Sequence, residues 1–185
     1  MAESASARPL EFAAASWLRP LPPATRFICC GDEAAQGAWV AALGLPGPAD
    51  ACRAVSANGR SLLWLGPDER LLLAPDDQRQ ALNAAIEAAS ASHAHSLVDV
   101  SYRQLGLEVR GPTAVRLLNA QCPLELTTAA FPVGMCTRTI YAKTEIVLWR
   151  TAAECFHIEV WRSFAPYLVT LLDDVAKETR PDTLL

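Results

Sequence analysis

His157 and Glu159 stand two residues apart in the apolar run Cys155 to Val160, so in a strand both side chains leave the same face. A carboxylate beside an imidazole orients it for proton transfer, and the same pair also reads as a partly buried structural contact. No serine, cysteine or threonine motif beside it marks a nucleophile. His93 and His95 form a His-x-His pair that a strand would present to a metal on one side. They fall in an Ala/Ser connector without a nearby third ligand, whereas a closed zinc site takes four, so a solvated linker is the plainer reading. Arg162-Ser163 lies at a strand-to-helix junction, where a guanidinium beside a helix N-terminus makes an anion site. Ser163 as a helix cap with Arg162 in an ion pair explains the same two residues. Arg138, between Thr137 and Thr139, belongs likewise to an anion site or simply to an exposed strand face.

Several chemistries lack their usual residues. No two of the nine glycines are two apart, so the Gly-x-Gly core of a dinucleotide fingerprint is missing, and no Gly-Lys-Ser/Thr provides a phosphate loop. Neither a Gly-x-Ser-x-Gly elbow nor a His-Glu-x-x-His helix occurs. The 185 residues carry 16 Lys+Arg against 20 Asp+Glu, a net charge of −4 without a basic run, so nucleic acid is not an expected partner. With 51% hydrophobic residues the chain can build a core, yet no stretch approaches the roughly 18 apolar residues of a membrane span. A soluble protein without membrane association is expected. The short apolar stretch Phe12 to Leu18 follows Glu11, precedes Arg19-Pro20 and lacks a basic leader, which points to the cytoplasm. There the six cysteines, two of them adjacent at Cys29 and Cys30 and none in a Cys-x-x-Cys pair, read as buried thiols.

The elements that must position these residues repeat. Residues 1–26 carry four prolines and no sustained period, which suggests an extended arm whose anchors, Leu10, Phe12, Trp17 and Leu18, seek a groove. Phe12, Trp17 and Leu18 are therefore interface candidates, with docking on the chain's own domain as the competing outcome. An α+β domain follows over residues 27–177, divided by the Ala/Ser break at Ala88 to Ser96 into halves of about 27–90 and 96–177, with a short tail at 178–185. The first half begins with a strand at Phe27 to Cys30, then a helix capped by Asp32 and closed by Gly44. Strands at Ala51 to Ala57, Ser61 to Leu65 and Arg70 to Leu73 surround the turn Gly66-Pro67-Asp68-Glu69, and a helix with the stripe Leu82, Ala85, Ile86, Ala89 ends it. The second half repeats the order. Strands at Ser96 to Ser101 and Leu105 to Val109 lead into a helix with Pro112 at its first position, followed by a loop through Phe131-Pro132. Strands at Thr137 to Tyr141, Glu145 to Arg150 and Cys155 to Val160 precede a last helix with Phe164, Leu168, Leu171, Leu172 and Val175 as its buried stripe.

A constant offset superposes the halves, pairing Ala57 with Ala142, Leu63 with Leu148, Trp64 with Trp149 and Glu69 with Glu154, which favours a duplicated unit. Both hairpins are apolar on both faces. If Arg150 faces Cys155, one face carries Trp149 and Val147 with Phe156 and Ile158, and the other carries Leu148 and Ile146 with His157 and Glu159. Helices cover one face; the other half of the chain or another subunit must cover the second.

In its second half the chain resembles the gamma subunit family of heterotetrameric sarcosine oxidase. The resemblance rests on Val98-Asp99-Val100-Ser101, Gly111-Pro112, Cys122-Pro123-Leu124, Phe131-Pro132 with Gly134 and Cys136, Arg138-Thr139, and Val160-Trp161-Arg162-Ser163-Phe164-Ala165 with Tyr167-Leu168. Trp64-Leu65-Gly66-Pro67-Asp68-Glu69 fits as well. That family in turn is similar to the folate-binding domain of glycine-cleavage aminomethyltransferases, which implies a single domain of two pseudo-repeated halves, antiparallel sheets packed on helices. It also implies partners: alpha, beta and delta subunits that hold FAD, FMN, NAD, zinc and tetrahydrofolate while sarcosine is demethylated to glycine. This chain would be an accessory, non-catalytic subunit with no cofactor of its own. Where the aminomethyltransferases carry an acidic doublet, this sequence has Thr144-Glu145, which leaves Glu145, Arg138, Arg162 and Ser163 as candidates for a residual cofactor contact. The alternative is a stand-alone folate-binding one-carbon transferase.

Overall fold

A computed structural model describes residues 15–47 and 50–178. The strands are β1 (Leu18–Pro20), β2 (Ala24–Gly31), β3 (Ala54–Ala57), β4 (Arg60–Trp64), β5 (Glu69–Pro75), β6 (His95–Asp99), β7 (Gln104–Arg110), β8 (Cys136–Tyr141), β9 (Thr144–Ala152) and β10 (Cys155–Trp161). The helices are α1 (Glu33–Leu43), α2 (Arg79–Ser90), α3 (Ala114–Asn119) and α4 (Ala165–Glu178). Local chemistry sets several of the boundaries. The Asp32 side chain accepts the Ala35 N–H at the start of α1, and Gly44, with φ 66°, adopts the left-handed conformation that closes it.

Two five-stranded antiparallel sheets result, in the orders β3-β4-β5-β2-β6 and β8-β9-β10-β7-β1. Position for position the halves match: β2 with β7, α1 with α3, the three-stranded meander β3-β4-β5 with β8-β9-β10, and α2 with α4. The fifth strand of each sheet comes from the other side. β1 directly precedes β2 yet pairs with β7 (Leu18 opposite Val109), while β6 directly precedes β7 yet pairs with β2 (Ile28 opposite Val98). This reciprocal exchange joins the halves through backbone hydrogen bonds, so neither sheet is complete without the other half. The Ala/Ser connector is shorter than the sequence suggests, because α2 runs to Ser90 and β6 starts at His95.

The layers run helix, sheet, sheet, helix. Trp39, Leu43, Leu82 and Ile86 of α1 and α2 pack on Phe27, Leu62 and Leu72 of the first sheet. Leu118 of α3 and Leu168 and Leu172 of α4 pack on Leu107, Leu148, Phe156 and Ile158 of the second. Between the sheets Leu63, Leu71, Leu73, Cys136 and Val147 form a seam. The apolar second faces of the hairpins are thus covered by each other.

Side-chain period two makes one residue of register decisive. A bulge between Cys155 and Phe156 sets Phe156, not Cys155, opposite Arg150, with His157 opposite Trp149 and Glu159 opposite Val147. The expected faces are therefore exchanged: His157 and Glu159 share the seam side with Trp149 and Val147, and Phe156, Ile158 and Val160 join Leu148 in the helix-side core. The internal repeat slips by one residue in the same way. The tight turns after β3 and β8 match at Asn58 (φ 55°) and Ala142 (φ 51°), both left-handed, so Leu63 corresponds to Val147 rather than Leu148. Trp64 and Trp149 do lie on the corresponding strands β4 and β9, one residue out of step.

Three further local expectations change. Pro112 sits in the turn before α3 rather than at its first position. Phe164 is 46% exposed and not part of the buried stripe of α4, because the helix begins only at Ala165, and this leaves Ser163 outside the capping position. Phe12 lies outside the described residues, but Leu18, only 2% exposed, fills the second-sheet core with Trp17 packed beside it. An apolar side chain of that size stabilises its own domain by about 2 kcal/mol and is not available to a partner.

Candidate functional site

A cleft of about 360 Å³ opens where β2 and β6 of the first sheet approach β8, β9 and β10 of the second. Ile28, Val100, Val147 and Glu159 line it, together with two groups of polar or aromatic side chains: Arg103 with Trp161, and Glu69 with Arg138 and Glu145. Each group depends on the fold. Arg103 ends the turn between β6 and β7, Trp161 ends β10, and their guanidinium and ring stack with 5.0 Å between guanidinium carbon and ring centre. Arg138 on β8 reaches across the sheets to Glu69 on β5 in a two-pronged pair, Nη2 to Oε1 at 2.6 Å and Nη1 to Oε2 at 3.1 Å. Glu145 stands 3.8 Å from Arg138 Nε.

The deepest charges lie behind this cleft. Arg26 Nε donates to Glu159 Oε2 at 2.5 Å, and the other oxygen, Oε1, is 2.7 Å from His157 Nε2. Arg26 also donates Nη1 to the Ala24 carbonyl, and its main-chain N–H meets the Ser101 hydroxyl. Both charged side chains are buried, at 3% and 0% exposure, so neither can be removed without stranding the other in a low-dielectric interior. Burial pushes the Glu159 pKa up, but the hydrogen bond from His157 and the Arg26 charge outweigh it and leave the carboxyl below its usual value. Gly106 makes room for the pair: a Cβ there would stand 3.1 Å from both Arg26 Nη2 and Glu159 Oε1. Glu159 is fully buried with each oxygen already bonded, and its pair with Arg26, on β10 and β2 respectively, is a structural pin between the sheets that His157 supports from within β10.

The structure brings Glu145 and Arg138 together at the cleft but not with Arg162 or Ser163. Arg162 Nε donates to the Tyr102 carbonyl at 3.1 Å, and Ser163 is exposed. Thr144, 1% exposed, points its hydroxyl into protein where it finds no partner among the described residues, and Glu145 is solvated and shared with Arg138. His95 binds Glu87 Oε2 at 3.0 Å and the His93 carbonyl, and no three metal-ligating side chains converge among the described residues. All six thiols are free; Cys29, Cys122 and Cys136 are buried while Cys30, Cys52 and Cys155 are partly exposed. Desolvation pushes Cys29 up to about 12. No described helix is long and apolar enough to cross a membrane.

Arg26, Arg103, Glu69 and Trp161 were not legible as site residues. For Arg26 a signal existed: a lone cation inside Thr25-Arg26-Phe27-Ile28-Cys29 requires a buried acid, and Glu159 is the acid inside a comparably apolar strand.

This architecture is the two-sheet α+β fold of the aminomethyltransferases: the glycine cleavage system aminomethyltransferase T from Bartonella henselae superposes with a TM-score of 0.63 over 84% of this chain and 44% of that one. At 16% identity the likeness is one of fold. A chain of the heterotetrameric sarcosine oxidase from Corynebacterium sp. U-96, solved with pyrrole 2-carboxylate, superposes with a TM-score of 0.80 at 30% identity, covering 87% of this chain and 83% of that one. Residues 29–178 match the sarcosine oxidase gamma subunit family, and the chain belongs to it. Sarcosine oxidase subunit gamma of Corynebacterium sp. strain P-1 is 35% identical over 66% of this chain, and that of Arthrobacter sp. 32% identical over 82%. The match spans about 60% of the length of the strain P-1 relative and 74% of the Arthrobacter one.

Proposed function

We propose that this chain is an accessory subunit of a heterotetrameric, flavin-dependent sarcosine oxidase and carries no reaction centre of its own. The observation that supports assembly is the match to gamma subunits over residues 29–178. The cleft adds support for the non-catalytic part, because Glu159 is paired with Arg26 and His157, and Arg138 with Glu69, rather than left open to a substrate. On this reading the alpha, beta and delta subunits hold FAD, FMN, NAD, zinc and tetrahydrofolate, oxidise sarcosine to glycine and pass on the one-carbon unit in the cytoplasm. Purified alone, the chain is expected to be colourless and to form no peroxide from sarcosine; a yellow protein with turnover overturns the reading. Calorimetry with tetrahydrofolate separates the folate-transferase alternative, which requires tight binding that Glu145→Ala abolishes.

A further inference from the structure

We infer that the surface built by Tyr102, Trp161 and Phe164 docks a larger subunit of the oxidase, through a segment that carries apolar side chains flanked by carboxylates. The inference rests on the subunit reading above and adds to it where, and with what chemistry, the chain is held.

Single exposed apolar residues are ordinary; a contiguous group is not. Seven large hydrophobic side chains are exposed among the described residues, and five of them, Val98, Tyr102, Trp161, Phe164 and Tyr167, belong to one region. Trp161 pairs with Gln104 at the ends of β10 and β7, and the following Arg162 N–H donates to the Arg103 carbonyl at 2.8 Å, which sets Tyr102-Arg103 beside Trp161-Arg162. The Phe164 ring lies 6.4 Å from that of Trp161, Tyr167 is one helical turn further along α4, and Val98 shares the cleft wall with Trp161. Exposures of 55% for Tyr102, 40% for Trp161 and 46% for Phe164 leave ring faces that the chain's own core does not use.

The charge around these rings selects the occupant. Arg79 lies over Tyr102 at 4.5 Å and Arg103 over Trp161 at 5.0 Å. Arg79 is also paired with Asp76 and stands 4.0 Å from Asp99, which leaves Arg103 as the cation placed to meet an incoming carboxylate. Trp, Tyr and Arg are the residues on which interface energy concentrates, and here two exposed rings stand beside Arg103, a cation with no carboxylate partner among the described residues. Arg103 attracts a carboxylate of the partner subunit, and an apolar side chain beside that carboxylate enters the cleft between Val98 and Trp161.

The test uses the full-length chain and the alpha, beta and delta subunits of a sarcosine oxidase from the same organism, assembled from separately purified parts, with affinity read by titration. Trp161→Ser, Phe164→Ser and Arg103→Glu are each expected to weaken assembly about tenfold or more, and Arg103→Glu to weaken it less in about 500 mM salt than in about 50 mM. Each isolated variant is expected to melt within about 2 °C of the parent, since none removes a buried group. If the parent assembles and all three variants assemble equally well, the docking surface is wrong while the subunit reading stands. If the parent binds none of the subunits, the subunit reading fails and takes this inference with it. A parent that self-associates through these residues overturns the occupant. Should Trp161→Ser melt early, Arg103→Glu decides, because Arg103 contributes no buried surface to the core.

Discussion

The two halves share one layout but fill the layer outside their sheets differently. In the first, the eleven-residue α1 packs directly on α2, with Trp39 fully buried between helix and sheet and its Nε1 donating to the Ser90 hydroxyl at 2.5 Å, which in turn donates to the Ile86 carbonyl. Gly31 lies so close beneath that a Cβ would meet Ala35 and the Trp39 ring at 2.9 Å. In the second half α3 has only six residues, and the chain crosses the sheet as a loop. The loop is held by Arg150, 2% exposed, which donates to the carbonyls of Leu126, Phe131 and Ala153 and stacks over Phe156 at 4.8 Å. An indole holds one copy of the unit and a guanidinium the other. Sheet topology is what the duplicated unit retains; the means of covering it is free to change, provided each buried polar group finds its partners.

Breaking the indole side gives the largest expected effect. Trp39→Ala removes about 4 kcal/mol by leaving a cavity, and thermal melting of the isolated chain should fall by roughly 8 to 16 °C. The guanidinium side follows closely: Arg150→Met strands three carbonyls and is expected to destabilise by about 3 kcal/mol in urea unfolding, with proteolysis concentrating in the loop between α3 and β8. A drop shared equally by the α1 region would blur the distinction between the halves.

The pin between the sheets sharpens the comparison, since it belongs to neither half. Glu159→Gln leaves Arg26 uncompensated and should cost about 3 kcal/mol. Its pH dependence has a definite sign. The folded carboxyl titrates below its ordinary value of 4.5, so its contribution is complete above that value and is lost as pH falls through the lowered one. The parent is therefore expected to lose stability steeply below about pH 4.5, and Glu159→Gln to lose less over the same interval. The smallest effect is expected at the cleft rim, where Arg138→Ala breaks a half-exposed pair with Glu69 and should change stability by about 1 kcal/mol or less.

What the sequence revealed was local. Asp32 and Gly44 bound α1 through hydrogen bonds made within a few residues, and Leu82 and Ile86 mark the buried side of α2 by spacing alone. The strand at Ser96 to Ser101 was legible as β6, but neither its exchange nor β1 left such a trace, because their partners lie far away in sequence, as with Gly31 opposite His95 and Leu18 opposite Val109. The bulge at Cys155 and Phe156 is a single residue, yet it decides that Glu159 faces the seam and meets Arg26. Arg26 itself was hidden by Pro20, Pro22 and Pro23 just before it, which gave Thr25-Arg26 the look of an arm rather than a central strand. Phe164 was misplaced for a related reason: helical spacing continues one residue back from Ala165, but the helix does not, and the ring turns to solvent beside Trp161.

Co-expression of this chain with alpha, beta and delta subunits of a sarcosine oxidase from the same organism, followed by native mass spectrometry and a sarcosine oxidation assay, tests the proposed subunit role most directly. One species holding a single copy of each of the four chains, flavin-bearing and active, is the expected result. Three chains that assemble and turn over at full rate while this one remains free would contradict it.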